Sequence, residues 1–231
     1  MTPDDDARVA GRILLQLSAA PRLPDILRSL GYPPEARPPA NIVQSVERFM
    51  DEATAYLEPR GAYSMYEPTV HTEHSLEIGG ATITGNIGEF LQGACRVAVF
   101  VVTVGNRISL EARARNDSGD AFGGLVLDTI GSWAAELTAE ALMAAMGSEL
   151  GAGESFTLRY SPGYCGMGLD QQRALFQLVP AGEIGISLLP SLLMQPLKSI
   201  SAIAGLGPRE RVGIHLSPCE RCPQIGCHMR R

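Results

Sequence analysis

The stretch Arg159-Tyr160-Ser161-Pro162-Gly163-Tyr164, with Asp170-Gln171-Gln172-Arg173 and Leu175-Phe176 close behind it, decides how this 231-residue chain is read. Phe156 to Arg159 has the character of a strand, and Pro162-Gly163 ends it in a tight turn, since proline presets φ and glycine accepts left-handed backbone. The turn leaves an arginine and a tyrosine beside backbone N–H groups, where a small anionic ligand can sit. A helix follows from Leu169 to Val179. A Pro-Gly pair between strand and helix needs no ligand of its own. The binding reading therefore depends on the surrounding residues.

Upstream, Arg96 to Val104 is a near-continuous apolar run, the pattern of a strand buried on both faces. Short β-prone pieces precede it at His74 to Ile78 and Ala81 to Thr84, and Asn86 to Gly93 reads as a short helix. Leu125, Ile130, Trp133, Leu137, Ala141, Leu142 and Ala145 give Ala121 to Met146 a broad apolar face, which predicts a long helix across the sheet that stops at Gly147. Strands are expected at Ile184 to Leu189 and Ile200 to Gly205. Together these elements make an α+β domain, a curved and mostly antiparallel sheet packed with helices.

The first sixty residues read differently. Ala7 to Leu17 and Ile42 to Leu57 carry apolar residues at helical spacing and flank a proline-rich connector, Pro21 to Pro39. This predicts a helical N-terminal arm over 1–60, an α+β domain over 61–216 and a cysteine-rich tail over 217–231.

With Ile184-Gly185-Ile186, Gln195-Pro196 and Lys198-Ser199-Ile200-Ser201-Ala202-Ile203-Ala204-Gly205 added, the loop resembles the activation domain of vitamin B12-dependent methionine synthase. The likeness runs from about Ser75 to about Ala204 and includes Val102-Thr103-Val104-Gly105 and Leu127-Asp128-Thr129-Ile130-Gly131-Ser132. In that family the R-x-x-P-G-Y loop binds S-adenosylmethionine, the methyl donor when oxidised cobalamin is reductively methylated. The resemblance implies that Arg159 pairs with the ligand's carboxylate, that the backbone at Ser161 and Gly163 meets the adenosyl part, and that Tyr164 lies between ligand and corrin. The family's acidic D-W segment, which holds the ligand's amino group, has no counterpart here, and Glu136 is the substitute. No D-x-H-x-x-G corrinoid motif is present, so the cobalamin is expected from a partner, a corrinoid protein or a cobalamin-dependent methyltransferase. The rival expectations are a binding or assembly module that keeps the fold without the activity, and an enzyme using the same loop for another nucleotide or corrinoid.

Composition narrows the classes. A net charge of -6 and the lack of a lysine or arginine cluster beyond Arg230-Arg231 argue against nucleic acid. The longest apolar run, Val97 to Val102, is far below the roughly 18 residues of a membrane span, and the acidic start lacks the pattern of a signal peptide, so the expected location is cytoplasmic. Five cysteines, three of them in Cys219-Glu220-Arg221-Cys222-Pro223-Gln224-Ile225-Gly226-Cys227, point away from a secreted disulfide framework. C-x2-C-x4-C with prolines and a glycine suits a loop around a metal, an iron–sulfur cluster or, alternatively, zinc, with His215, His228, Cys165 or a partner atom as fourth ligand. A cluster would supply the electron that restoring an oxidised corrin requires.

Other candidates carry less. His71 and His74 flank Glu73 but face opposite ways on a strand, Ser132 has no suitably placed histidine, and Cys95 reads as an inert core thiol.

Overall fold

A computed structural model describes residues 8–14 and 16–212. In chain order it contains β1 (Arg8–Leu14), α1 (Leu23–Ser29), α2 (Ala40–Ala53), β2 (Arg60–Tyr66), β3 (Val70–His71), β4 (Ser75–Ile78), β5 (Ala81–Thr84), α3 (Ile87–Phe90) and β6 (Arg96–Thr103). Then come α4 (Arg107–Asp117), α5 (Ala121–Gly147), β7 (Glu154–Phe156), α6 (Gln172–Leu178), β8 (Ser187–Leu188), β9 (Met194–Gln195) and β10 (Ser199–Pro208). The main sheet is open and antiparallel throughout, in the order β1-β2-β6-β10-β7.

The middle of that sheet explains its apolar sequence. Val97, Val99 and Val101 of β6 pack with Leu76, Ile78 and Ile83 of the β3-β4-β5 meander and with Leu175 and Leu178 of α6. The alternate residues Ala98, Phe100 and Val102 pack on Ala139, Leu142 and Met146 of α5. Period-two alternation therefore buries both faces, and each large side chain so buried contributes roughly 1.5–3 kcal/mol relative to exposure. Farther toward its start, α5 buries Val126 and Ile130 against Phe49 of α2, Ile26 of α1 and Ile108 of α4.

Helix α5 begins where Asp120 accepts a hydrogen bond from the Gly123 N–H at 2.9 Å, a side-chain N-cap. It ends at Gly147, as expected.

Several expectations are corrected. Ala7 to Leu17 is not a helix: Arg8–Leu14 forms the edge strand β1, with a register shift between Val9 and Arg12. Gly11 sits in that irregularity, where a Cβ would lie 3.0 Å from Pro180 Cγ. The connector Pro21 to Pro39 contains α1, because Pro24 falls in the first turn, where a missing N–H is no loss. The arm's helices are thus α1 and α2, and both pack on α5. The strand expected at Phe156 to Arg159 is displaced to β7, and Ile184 to Leu189 begins as a 3-10 turn, Ala181–Ile184, before the short β8. No described helix is long and apolar enough to cross a membrane.

Candidate functional site

The loop between β7 and α6 is built on Tyr160. Its backbone bridges Ile203 of β10 in both directions, at 2.8 and 2.9 Å, and its ring is almost wholly buried against Phe90. The Tyr160 hydroxyl donates to the Cys165 carbonyl at 2.9 Å and accepts from the Asn86 N–H at 3.1 Å. Asn86 Nδ2 donates to the same carbonyl at 3.0 Å. Burial raises the Tyr160 pKa above the usual phenol value, against the opposing pull of the Asn86 N–H, so the hydroxyl stays a proton donor at neutral pH.

Within the loop, the Tyr164 N–H donates to the Ser161 carbonyl at 3.2 Å, with Pro162 and Gly163 at the corners and Gly163 at φ +88°. Proline first and a left-handed glycine second are the residues that a type II turn requires. The Gly163 N–H donates to Met167 O at 2.8 Å and the Met167 N–H to Tyr164 O at 2.9 Å. This corrects one expectation: the N–H groups of Gly163 and Tyr164 are used inside the loop and do not form an open anion cradle. What the turn leaves outward is the Tyr164 side chain, 62% exposed.

Arg159 and Glu136, separately nominated by sequence, are brought together. Arg159 Nη2 donates to Glu136 Oε2, joining the loop to α5, and the two side chains are 24% and 23% exposed. The second terminal nitrogen, Arg159 Nη1, is buried with no hydrogen-bond partner. One α-helical turn before Glu136 stands Ser132, and one turn before that Asp128. Lys198 Nζ reaches both, at 2.8 Å to Ser132 Oγ and 2.7 Å to Asp128 Oδ1. Asp128 to Glu136 spans about 12 Å of helix at about 1.5 Å per residue. A row of α5 oxygen ligands thus faces two cations from the sheet side. Sequence alone assigns no role to Lys198. The signal was the four-residue spacing of Asp128, Ser132, Glu136 and Glu140 on an otherwise apolar helix.

Asp128 also borders an open groove of about 650 Å³ lined by Leu110, Leu125, Leu193 and Leu197, whose lining does not include Arg159, Glu136 or Tyr164. Among the described residues, no group of three His, Cys, Asp or Glu side chains is placed to hold a metal ion. Cys219, Cys222 and Cys227 lie outside the described residues. Cys95, expected in the core, is exposed, and Cys165 is half-buried at φ 44°.

No family model matches this sequence, and no curated protein does. Among solved structures the chain is similar to a crystal structure of the MetH reactivation domain bound to AdoHcy, with a TM-score of 0.60 over 90% of this chain and 82% of that one. At 15% identity the likeness is one of fold, and this chain has the fold of that reactivation domain.

Proposed function

We propose that this protein binds S-adenosylmethionine at Arg159, Glu136 and the Ser161 to Tyr164 turn, and presents it to cobalamin carried by a separate corrinoid protein or cobalamin-dependent methyltransferase. The observation that carries the reading is the meeting of Arg159 and Glu136 at a rigid turn, in a fold whose solved neighbour holds AdoHcy, the demethylated form of that ligand. The planar guanidinium suits the ligand's carboxylate and Glu136 its ammonium. Backbone atoms of Ser161 and Gly163 meet the adenosyl part, and the exposed Tyr164 ring stands between the ligand and the incoming corrin.

In this reaction the partner's cobalt first takes one electron from a low-potential donor. The sulfonium methyl then passes to it, while the sulfur keeps the bonding electron pair and becomes a thioether. No side chain has to move a proton. The protein's contribution is positioning, which converts an encounter of two large molecules into an effectively intramolecular transfer. The thiolates of Cys219, Cys222 and Cys227 suit an iron–sulfur cluster that would deliver the electron.

A second reading, a non-catalytic binding or assembly module with a zinc-held tail, is favoured by one observation. Arg159 already has an internal partner. Calorimetry with S-adenosylmethionine separates the two: saturable binding, alone or with the corrinoid partner present, is expected, and no binding at millimolar ligand in either case leaves the assembly module.

A further inference from the structure

We propose that the leucine-lined groove between α4, α5 and the turn joining β8 to β9 is the docking seat of the corrinoid-carrying partner, which inserts an apolar segment bearing a carboxylate. The inference rests on the reading of the Arg159 loop as a site that meets cobalamin on a separate protein, and adds the surface by which that protein is held.

Among the described residues ten large apolar side chains are exposed, and five of them, Leu110, Leu125, Leu189, Leu193 and Leu197, line this one groove of about 650 Å³. Scattered leucines on a surface mean little, but such a concentration marks an interaction site. The groove is preformed. Its 189–193 wall is closed by the Leu189 N–H, which donates to Leu193 O at 2.9 Å, and is pinned by Gln172 Nε2 of α6, which donates to Leu192 O at 3.2 Å. Being open, the groove cannot enclose the roughly 70–90% of a small molecule's surface that ligand pockets bury, whereas a ridge of side chains fills it.

Two charged residues line the groove. Asp128 is already engaged by Lys198 at 2.7 Å, whereas Arg113 has only Asp117, 3.9 Å away, with the two side chains 82% and 73% exposed. The charge left for an occupant to match is therefore positive, and a carboxylate matches it. A second copy of this chain fits less well. Apart from the groove's own leucines, its exposed large apolar residues are Val70 and Phe122, each at 37%, and Leu158, Tyr164 and Leu169 in or beside the candidate loop. Docking through that loop would cover the copy's own site.

Position ties the groove to the corrinoid partner. Leu125, Asp128, Ser132 and Glu136 follow at three- and four-residue steps on one stripe of α5, which puts Leu125 about 16 Å from Glu136 along the helix. A specific interface takes about 800 Å² from each protein, a patch roughly 30 Å across. The exposed Tyr164 and its turn supply only part of that area, and a partner centred on the Arg159–Glu136 pair reaches the groove within one such patch.

The test is calorimetry on the full-length protein with two titrants: S-adenosylmethionine, and a cobalamin-dependent methionine synthase that has no reactivation domain of its own, loaded with cob(II)alamin. Leu110→Asp and Leu193→Asp, on two different walls, are each expected to weaken binding of the synthase about 10-fold or more, while S-adenosylmethionine affinity stays within about twofold. Arg113→Glu should weaken it about fivefold, with a larger effect at low salt, and Arg113→Lys should retain most of it. If the wild type binds S-adenosylmethionine but not the synthase, or the variants bind the synthase as the wild type does, the docking seat is wrong and the site reading stands. If the wild type binds neither titrant, the site reading falls with it. A dimer in sedimentation that Leu193→Asp disperses gives the groove to a second copy and also overturns the proposal. Arg113 is 82% exposed, so its variants decide the matter even where a leucine variant fails to fold.

Discussion

Tyr160 lies almost flat on Phe90, with ring centroids 4.3 Å apart and planes inclined by 17°. The stack joins the candidate binding loop to α3, and the Tyr160 hydroxyl joins it again through the Asn86 N–H. Tyr160→Phe keeps the stack and removes two hydrogen bonds at a buried hydroxyl. The expected loss is about 1–3 kcal/mol in denaturant unfolding. Ligand binding should weaken as well, because the Cys165 carbonyl loses one of its two donors.

The same hydroxyl predicts a pH dependence. Its pKa is raised by burial, so the folded protein holds the proton where the unfolded chain has begun to release it. Its stabilising contribution is complete below the ordinary phenol value of about 10 and is lost as pH rises past that value toward the folded pKa. Tyr63, raised by burial and by the hydrogen bond to Glu149, acts in the same direction. Stability followed by urea titration should fall as pH rises past the ordinary phenol value in the wild type and fall less steeply in Tyr160→Phe.

Two glycines separate backbone strain from collision. Gly163 has φ +88°, and a Cβ there would meet only Leu169 Cδ1, at 3.8 Å. Gly163→Ala should cost about 1–2 kcal/mol, the penalty of left-handed backbone alone. Gly93 has φ +76°, but its Cβ would lie 2.1 Å from the Arg211 carbonyl oxygen. Gly93→Ala must also move backbone, and its thermal midpoint should drop well below that of Gly163→Ala.

How much the sequence could say differed from element to element for physical reasons. The run Val97 to Val102 read as a buried strand because both of its faces are covered, and α5 read as a helix because its apolar face is broad and long. Strand β1 was misread because it is short and bent at Gly11, which breaks the alternation and leaves Val9, Ile13 and Leu14 at spacings a helix also fits. Helix α4 escaped because it buries little beyond Ile108 and Ala112 and is otherwise charged. It is held by Arg115, which pairs with Glu111 on α4 itself, with Glu52 on α2 and with Asp120. In the loop, Pro162 and Gly163 were legible because a type II turn dictates the residues at its two central positions. The pairing of Arg159 with Glu136 was not, because nothing local to either residue encodes a contact between a loop and the flank of a helix.

That pairing makes Arg159→Ala informative twice. Without ligand, it removes the guanidinium paired with a mostly buried Glu136, and a loss of about 1–3 kcal/mol in stability is expected, between the values for exposed and fully buried pairs. S-Adenosylmethionine affinity should fall by about 2 kcal/mol, roughly 30-fold, when its charge-assisted pair is removed. A double-mutant cycle with Glu136→Ala, read by calorimetry and by urea unfolding, assigns the two effects. Unchanged affinity in Arg159→Ala would remove Arg159 from the site.

The tail offers a prediction independent of the loop. Three thiolates in C-x2-C-x4-C are soft donors, suited to iron–sulfur clusters and to zinc, and the two outcomes imply different roles. A cluster supplies the electron that cobalt needs before it accepts a methyl group, whereas zinc supplies only a closed loop. Protein purified without oxygen is expected to contain iron with acid-labile sulfide and a visible absorption band that bleaches on reduction, and Cys222→Ser should abolish both. Under the proposed mechanism the same variant still binds S-adenosylmethionine but no longer supports methylation unless an external low-potential reductant is added. Zinc without sulfide would transfer the electron's entry to the partner and strengthen the assembly reading, because a chain with no redox centre can position the methyl donor but cannot prepare the metal that receives it.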